Sequence, residues 1–485
     1  MPSKPLIVIC GTTGVGKSKL GIELALSLAA GHHNHPYRGA KIINADSMQV
    51  YTGMDVITNK VPVEERCGVE HLLMDYKEPG EQLTGPEWIA DAITEIDKIH
   101  EQGEVPIVVG GTSYWIQHLI FPERMASIEK PSESLGIVPT SSQAFSDALA
   151  ALPEELRALF DKLPEQAPLP EFEDAPLALH RLLAGLDPSV AQRWHWRDTR
   201  RVLTCLRVMR DNRRLASEVY EQQSRVVSRP RYRTLCFWLY AEPDALKPRL
   251  DERVDQMIAQ GLLNEIQTLR SIVSASTSAQ TPSEASPQAQ MDYTLGIYQA
   301  IGYKEFHNYL NSPGRQDSAF SEAVDQMKLG TRRYAKRQIS WIRNKLLPTV
   351  FAANSASREE GTEPEVPTYI LDATELGDAW TANVHDRGIQ ITKAFLEGTE
   401  LPDPAALSQA ASTLLEIREK PTDPLAVLSA HQRRQCDVCT TNAEQPVMVD
   451  GQKWEEHQRS KAHKTMTRKL NGRSASMGRG DSDKV

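Results

Sequence analysis

The chain has 485 residues, 40% of them hydrophobic and 25% charged, with 55 basic against 64 acidic side chains and a formal charge of −9. That length predicts two or three folded units with an ordinary core, and the acidic balance excludes a polycation that holds nucleic acid by bulk charge. Any nucleic-acid surface must be a local patch, and two are visible: Arg197, Arg200, Arg201, Arg207, Arg210, Arg213 and Arg214, then Arg459 to Arg479 with Lys461, Lys464, Arg468, Lys469 and Arg473 between.

The first element is the apolar run Pro5-Leu-Ile-Val-Ile-Cys10, which reads as a buried parallel strand. It begins too early to leave room for a signal or transit peptide, and no later run is long enough to span a bilayer. Cytoplasm is the expected compartment, with nuclear and mitochondrial pools open, and a monomer is expected. Gly11 to Gly16 form a glycine-rich turn, and Leu20, Leu24 and Leu28 recur every four residues as one face of a helix. Lys41-Ile-Ile-Asn-Ala45 and Val105-Pro-Ile-Val-Val109 read as further strands, with a helix over Pro86 to Glu101 between them. Alternation of this kind predicts an α/β fold, a doubly wound parallel sheet.

Residues 1–125 are therefore read as a P-loop core. Residues 126–185 read as a helical insertion, its clearest helix at Leu149 to Leu159, and 186–350 as a mainly helical RNA- or substrate-binding region with one strand-like run, Thr234 to Tyr240. Within it, 274–290 is rich in Ser, Ala, Thr, Gln and Pro and is expected to be disordered. Thr368 to Ala373 and a helix over Trp380 to Leu396 place 351–397 back on the first sheet, followed by a linker (398–430), a small metal-binding module (431–470) and a disordered tail (471–485).

Gly11-Thr12-Thr13-Gly14-Val15-Gly16-Lys17-Ser18 matches G-x-x-x-x-G-K-[ST] in the strand–turn–helix setting the motif needs. Its backbone N–H groups and the following helix N-terminus favour an anion, Lys17 adds a point charge between phosphates, and the Ser18 hydroxyl is a candidate Mg²⁺ ligand. The motif specifies a di- or triphosphate and leaves kinase, NTPase and diphosphate transferase open. The second strand leads into Asn44-Ala-Asp46-Ser47-Met48-Gln49, where Asp46, at a carboxyl end beside the phosphate loop, can serve as a base or a metal ligand. Another strand ends in Gly110-Gly111-Thr112-Ser113, bringing a hydroxyl to the same edge.

Taken in order, GTTGVGKS, NADSMQVYTGMDVITNK, Glu70-His71-Leu72, VVGGTSYW, Leu179-His180 with Leu186-Asp187-Pro188-x-x-Ala191 and Asp198-x-x-Arg201, Arg253-Val-Asp-Gln-Met257, Gln299-Ala-Ile-Gly-Tyr-Lys-Glu305 and Thr331-Arg-Arg-Tyr334-x-x-Arg337-Gln338-x-x-Trp341 resemble the tRNA dimethylallyltransferase (tRNA isopentenyltransferase) family, in its eukaryotic form with a C-terminal zinc finger. The likeness spans 5–397. It departs at His195-Trp196-Arg197-Asp198, where the family carries H-P-N-D, and at Thr204, where the family has a second arginine. The resemblance implies dimethylallyl diphosphate as donor and, as acceptor, the exocyclic amine of the adenosine 3′ of the anticodon in a tRNA anticodon stem-loop. On that reading Asp46 is the candidate base, Thr112 aims the amine, and the loop amides, Lys17, Ser18 with Mg²⁺, and Arg201 stabilise the departing diphosphate. Asp46, Ser47, Met48, Gln49, Thr112, Arg200 and Arg201 are the expected tRNA contacts, the target base being flipped from its stack. Bland roles compete: a turn aspartate for Asp46, an ion pair for Arg201, and a solvated basic helix for Arg332, Arg337 and Gln338.

Cys436-x-x-Cys439 with His457 and His463 has the ligand types and spacing of a tetrahedral structural Zn²⁺ site, similar to fingers of double-stranded-RNA and spliceosomal proteins. Trp454 is a candidate small core, and Lys453, Arg459, Lys461 and Lys464 a phosphate-contacting face. Cys10, Cys67, Cys205 and Cys236 stand singly and read as buried thiols, so no disulfide framework is expected. The rival functions are a P-loop small-molecule kinase, an adenylate isopentenyltransferase making free cytokinin, and an RNA-binding scaffold without catalysis.

Overall fold

The structure is a computed structural model that describes residues 4–31, 34–122, 141–165, 167–168, 174–225, 229–278, 296–311, 317–359, 361, 365–416, 432–442 and 445–477. The chain divides into two compact units, Met1–Pro122 with Val227–Ile417, and Glu123–Val226 with Arg418–Val485.

The first unit is built on six parallel strands in the order β3-β2-β4-β1-β5-β6. They are β1 (Pro5–Gly11), β2 (Ala40–Asn44), β3 (His71–Leu72), β4 (Val105–Val109), β5 (Arg233–Tyr240) and β6 (Thr368–Asp372). Every residue of β1 and β4 is buried, as continuous apolar runs require when helices cover both faces. Helices α1 (Lys17–Ala29), α2 (Gly85–Glu101) and α3 (Ser113–Ile120) follow β1, β3 and β4. Thr84 starts α2 with a capping box, its side chain and that of Glu87 each taking the other's backbone N–H. The run Thr234 to Tyr240, which sequence alone leaves within a helical region, is central: β5 pairs with β1 on one side and β6 on the other. The late strand therefore does return to the first sheet. Behind it, Trp380, Val384, Ile391 and Phe395 join Val15 of the phosphate loop and Leu20 and Leu24 of α1 in one core.

Among the described residues, the second unit carries six helices between Gln143 and Arg225 around Phe145, Phe160, Leu182, Leu183, Leu203 and Leu206. Residues 186–225 thus pack with the insertion rather than with the helices after β5, because the apolar faces of 174–186 and 199–212 are buried against each other. The helix expected over Leu149 to Leu159 is two, Gln143–Ala151 and Glu154–Asp161, broken where Pro153 forces the preceding residue out of helical geometry. The family-like Asp187 is a staple: buried, it accepts from Val190 N–H (3.3 Å), Ser189 Oγ (2.7 Å) and Ser217 N–H (2.8 Å).

Four other expectations change. Cys67 is exposed, closing a 3₁₀ turn at φ +50°. The expected linker begins later than 398: Pro402 O accepts from Tyr369 Oη (2.9 Å), and the turn Pro404–Ala406 and helix Gln409–Leu414 lie on the core, whereas 417–430 falls outside the described residues. Helix Lys461–Met477 continues seven residues into the expected tail, and 478–485 lies outside the description. Of the stretch 274–290, 274–278 ends the helix Leu262–Ser278 and the rest is outside it.

Candidate active site

The phosphate loop, the Asp46 loop and the Thr112 loop all leave carboxyl ends of neighbouring strands, β1, β2 and β4, and so meet on one edge of the sheet. Gly16 stands at the N-cap of α1 with φ +87°, a left-handed conformation that glycine adopts without a Cβ clash. Beyond it lie Lys17 and Ser18. Lys17 donates from Nζ to Thr12 O (2.7 Å), and its pKa is lowered to about 8, by burial first and then by the Arg253 guanidinium, with the Asp46 carboxylate acting in the opposite sense. Lys17, Asp46 and Arg253 therefore form one electrostatic group. Arg253 comes from helix Pro243–Ala259, and burial lowers its pKa while Asp46 opposes the shift.

Asp46 is held by its own loop. Its N–H donates to Asn44 Oδ1 (3.1 Å), and its Oδ1 accepts from Met48 N–H (3.0 Å). The turn role anticipated for this aspartate is real, yet it occupies one carboxylate oxygen; the other, Oδ2, lies 3.6 Å from where a Cβ on Gly111 would be. The Thr112 hydroxyl accepts from Ser47 N–H (3.0 Å) and donates to Ser47 Oγ (3.3 Å), so it ties the two loops together. Gln49 donates both amide hydrogens within the loop, to Thr58 O (3.1 Å) and Asn59 O (3.2 Å). Ser18, Asn44, Gln49, His71 and Met74 line a small crevice here.

The loop from 46 to 60 is anchored with unusual thoroughness. Lys60, with 1% of its side chain exposed, donates to Tyr51 O (2.6 Å) and pairs with Asp55 (2.9 Å) and Asp75, while Glu265 accepts from the N–H groups of Val56 (2.9 Å) and Ile57 (2.8 Å). A buried ammonium of this kind needs all its partners.

Helix Asp317–Trp341 is solvated on one face, where Arg333, Lys336 and Arg337 are exposed, but Arg332 and Gln338 are not part of that face. Arg332 forms a bidentate pair with Asp251 (2.6 Å to each oxygen), and Gln338 is 4% exposed, accepting from Thr13 N–H (2.9 Å) and donating to Gly111 O (3.1 Å). Tyr334 is held protonated well above the usual phenol range, by burial first and then by the nearby Asp46. Of the loop amides expected to hold diphosphate, that of Thr13 thus serves Gln338.

Arg200 and Arg201 belong to the second unit and are exposed. Arg201 pairs with Asp198 (3.2 Å) and lies 4.8 Å from the Trp194 ring centroid. In the first unit the arginine whose charge acts on Lys17 and Asp46 is Arg253. Sequence reasoning passed over it, along with Tyr334 and Lys60, which only their places inside the long family-like motifs marked, and left Gln338 with the alternative of a solvated basic helix.

In the second unit, Cys436, Cys439, His457 and His463 bring four donor atoms within 4.8 Å of one another. Cys436 Sγ lies 3.4 Å from His463 Nδ1, Cys439 Sγ lies 3.4 Å from His463 Nδ1 and 3.5 Å from His457 Nε2, and the two nitrogens are 3.1 Å apart. The edges of a tetrahedral Zn²⁺ site are roughly 3.3–3.6 Å, so the set fits a four-ligand metal. Strands β7 (Arg433–Gln435) and β8 (Met448–Asp450) form the hairpin that presents the cysteines. The module is docked on the helices: Arg433 N–H donates to Gln192 O (2.8 Å), and Trp196 Nε1, from a side chain 1% exposed, donates to Pro446 O (3.2 Å). The departure from the family pattern at 195–198 thus forms the seat of the finger, with Arg197 stacked 4.7 Å over the Trp196 ring. Lys453, Arg459, Lys461 and Lys464 are exposed, and Trp454 is half-buried.

Among the described residues, no helix is long and apolar enough to cross a membrane. The sequence model described as IPP transferase matches residues 49–345. A tRNA dimethylallyltransferase of Schizosaccharomyces pombe is 33% identical over 96% of this chain and 95% of its own length, and the one from Homo sapiens is 28% identical over 96% and 86%. A solved eukaryotic dimethylallyltransferase acting on tRNA superposes with a TM-score of 0.69 at 29% identity, covering 98% of this chain and 99% of that one. A family model matched over more than half of this chain, together with a 33% identical relative aligned over nearly all of it, places this chain in the IPP transferase family.

Proposed function

We propose that this protein transfers a dimethylallyl group from dimethylallyl diphosphate to the exocyclic amine of the adenosine 3′ of the anticodon in tRNA. The observation that carries the reading is the group formed by Lys17, Arg253 and Asp46 where the phosphate and acceptor loops meet. Two cations and the loop amides suit a diphosphate leaving group, and one carboxylate suits an amine that must lose a proton. In the step, the allylic C–O bond breaks, its electron pair leaves with the diphosphate, and the amine nitrogen forms the new C–N bond. Its proton passes to Asp46, and Thr112 orients the amine through its hydroxyl. Tyr334, kept protonated, supplies a neutral hydroxyl beside the carboxylate.

Ser18 offers one oxygen at the start of α1, which fits a Mg²⁺ that takes its remaining ligands from diphosphate and water. The ion would supply charge neutralisation of the leaving diphosphate. For the second unit, two thiolates and two imidazoles at these separations favour Zn²⁺ over Mg²⁺ or Ca²⁺, and four protein ligands make the site structural. Arg200, Arg201 and the exposed lysines of the finger are cations for RNA phosphates.

The test is incubation of purified protein and Mg²⁺ with labelled dimethylallyl diphosphate and either unmodified tRNA or AMP. Label in tRNA beside the anticodon supports the reading. Label in AMP alone moves the protein to cytokinin synthesis, and ATP-dependent phosphorylation of a small molecule moves it to the kinases.

Lys17 also gives a pH signature. Diphosphate binds the ammonium form, so its affinity is full below pH 8 and falls as pH rises above about 8, where binding must take up a proton. The fall approaches about tenfold per pH unit, the limit for one coupled proton. Calorimetric titration of inorganic pyrophosphate with Mg²⁺ between pH 7 and 10 measures it, and Lys17→Met, which lacks the group, isolates the ligand's own titration. Equal pH dependence in the two proteins counts against the assignment.

A further inference from the structure

We propose that Gln338 is a positioning residue that couples the phosphate loop to the acceptor loop, so that diphosphate binding sets the alignment of Thr112 and Asp46. The proposal rests on the transferase reading above. Gln338 sits near the end of helix Asp317–Trp341 and is 4% exposed. Its Oε1 accepts from the N–H of Thr13, inside the phosphate loop, at 2.9 Å. Its Nε2 donates to the carbonyl of Gly111 at 3.1 Å. Gly111 precedes Thr112, whose hydroxyl accepts from Ser47 N–H at 3.0 Å, and Ser47 follows Asp46. One side chain thereby closes a path from the diphosphate cradle to the base: Thr13, Gln338, Gly111, Thr112, Ser47, Asp46.

The requirement is chemically narrow. The side chain must accept at one atom and donate at the next, both while buried, and it must reach two loops that lie 325 and 227 residues away in sequence. Ionised glutamate accepts and cannot donate, methionine does neither, and asparagine is one methylene short. Space is equally narrow: a Cβ on Gly111 would lie 2.4 Å from Nε2, so that glycine keeps room for the strut. A residue serving packing alone has no need of both bonds.

The test uses the full-length protein with Gln338→Glu and, separately, Gly111→Ala. The first keeps an acceptor for Thr13 and sets a carboxylate against the Gly111 carbonyl; the second pushes Nε2 away from below. In the wild type, inorganic pyrophosphate with Mg²⁺ should slow hydrogen exchange in peptides covering 11–18 and also 45–49 and 110–114. In either variant protection should stay within 11–18, with pyrophosphate affinity within about threefold of wild type. Transfer to tRNA should lose about 10–100-fold in kcat, the size expected when a reacting group is misplaced by about 1 Å. If Gln338→Glu does not fold, Gly111→Ala is judged on the same readouts.

Protection confined to 11–18 in the wild type overturns the coupling. So does an unaltered kcat in the folded variants, or a kcat loss matched by an equal loss of pyrophosphate affinity. A wild type that transfers nothing to tRNA defeats the transferase reading instead, and the exchange pattern still decides the role of Gln338.

Discussion

Replacing Asp46 by asparagine should lower transfer to tRNA by about 10²–10⁴-fold, the usual contribution of a positioned general base. Asparagine is the informative choice because its Oδ1 can still accept from Met48 N–H, so the loop keeps its turn. Pyrophosphate should bind normally at pH 6.5, where Lys17 is protonated. A second effect separates this from simple damage. The Asp46 carboxylate holds the Lys17 pKa up against burial and Arg253. Without it, the Lys17 titration should move below about 8, and pyrophosphate affinity should begin to fall at a lower pH than in the wild type. Single-turnover transfer and binding measured across the same pH range test both. Turnover within tenfold of wild type removes Asp46 as the base.

Stripping the metal from the second unit should do more than unfold a tail. Metal binding contributes about 10–16 kcal/mol to the folding of small zinc modules at neutral pH, so chelation or Cys436→Ser should melt the hairpin and its two helices. The seat beneath them then loses its cover: Trp196 would lose Pro446 as acceptor, and Gln192 O would lose the Arg433 N–H. The expected result is one metal ion released per chain, with a red-shifted component of tryptophan emission that is missing when Trp196→Phe is stripped in parallel. The sheet unit should melt at its original temperature. Metal release with no change around Trp196 would show that the finger is not seated as described. Affinity for tRNA should fall and depend less steeply on salt as the finger's cations disperse.

The readable parts of this molecule are those whose chemistry is local. The phosphate loop, Asp46, Thr112 and the Cys/His set each lie in a short segment whose spacing is itself the signal, and the structure gathers the first three on one edge and the last four into one cluster. β1, β2, β4 and β6 were legible as apolar runs with polar ends. Arg253 and Gln338 were not, because a helical arginine or glutamine looks the same in sequence whether it faces water or a loop hundreds of residues away. Nor could the run from 234 to 240 announce its place between β1 and β6. The boundary expected at 185 failed for a related reason: the apolar stripe of Thr199–Asn212 says that this helix is covered, not which helices cover it. Trp196 and Arg197 read as a departure from a pattern until the finger was seen resting on them.

Strand order also has a consequence for synthesis. β1 is made first and lies between β4 and β5, yet β5 begins at residue 233, beyond the whole helical insertion. At about 5–20 residues per second, roughly 10–45 s separate the emergence of β1 from that of its second neighbour. Through that interval an entirely apolar strand offers one row of unpaired N–H and C=O groups, the kind of edge that recruits other chains. The helical unit waits longer still, because the hairpin that covers Trp196 is translated after residue 432. With a metal on the Cys/His set, the nascent protein would need protection of its sheet edge early and the ion late, two demands set by the order in which its pieces leave the ribosome.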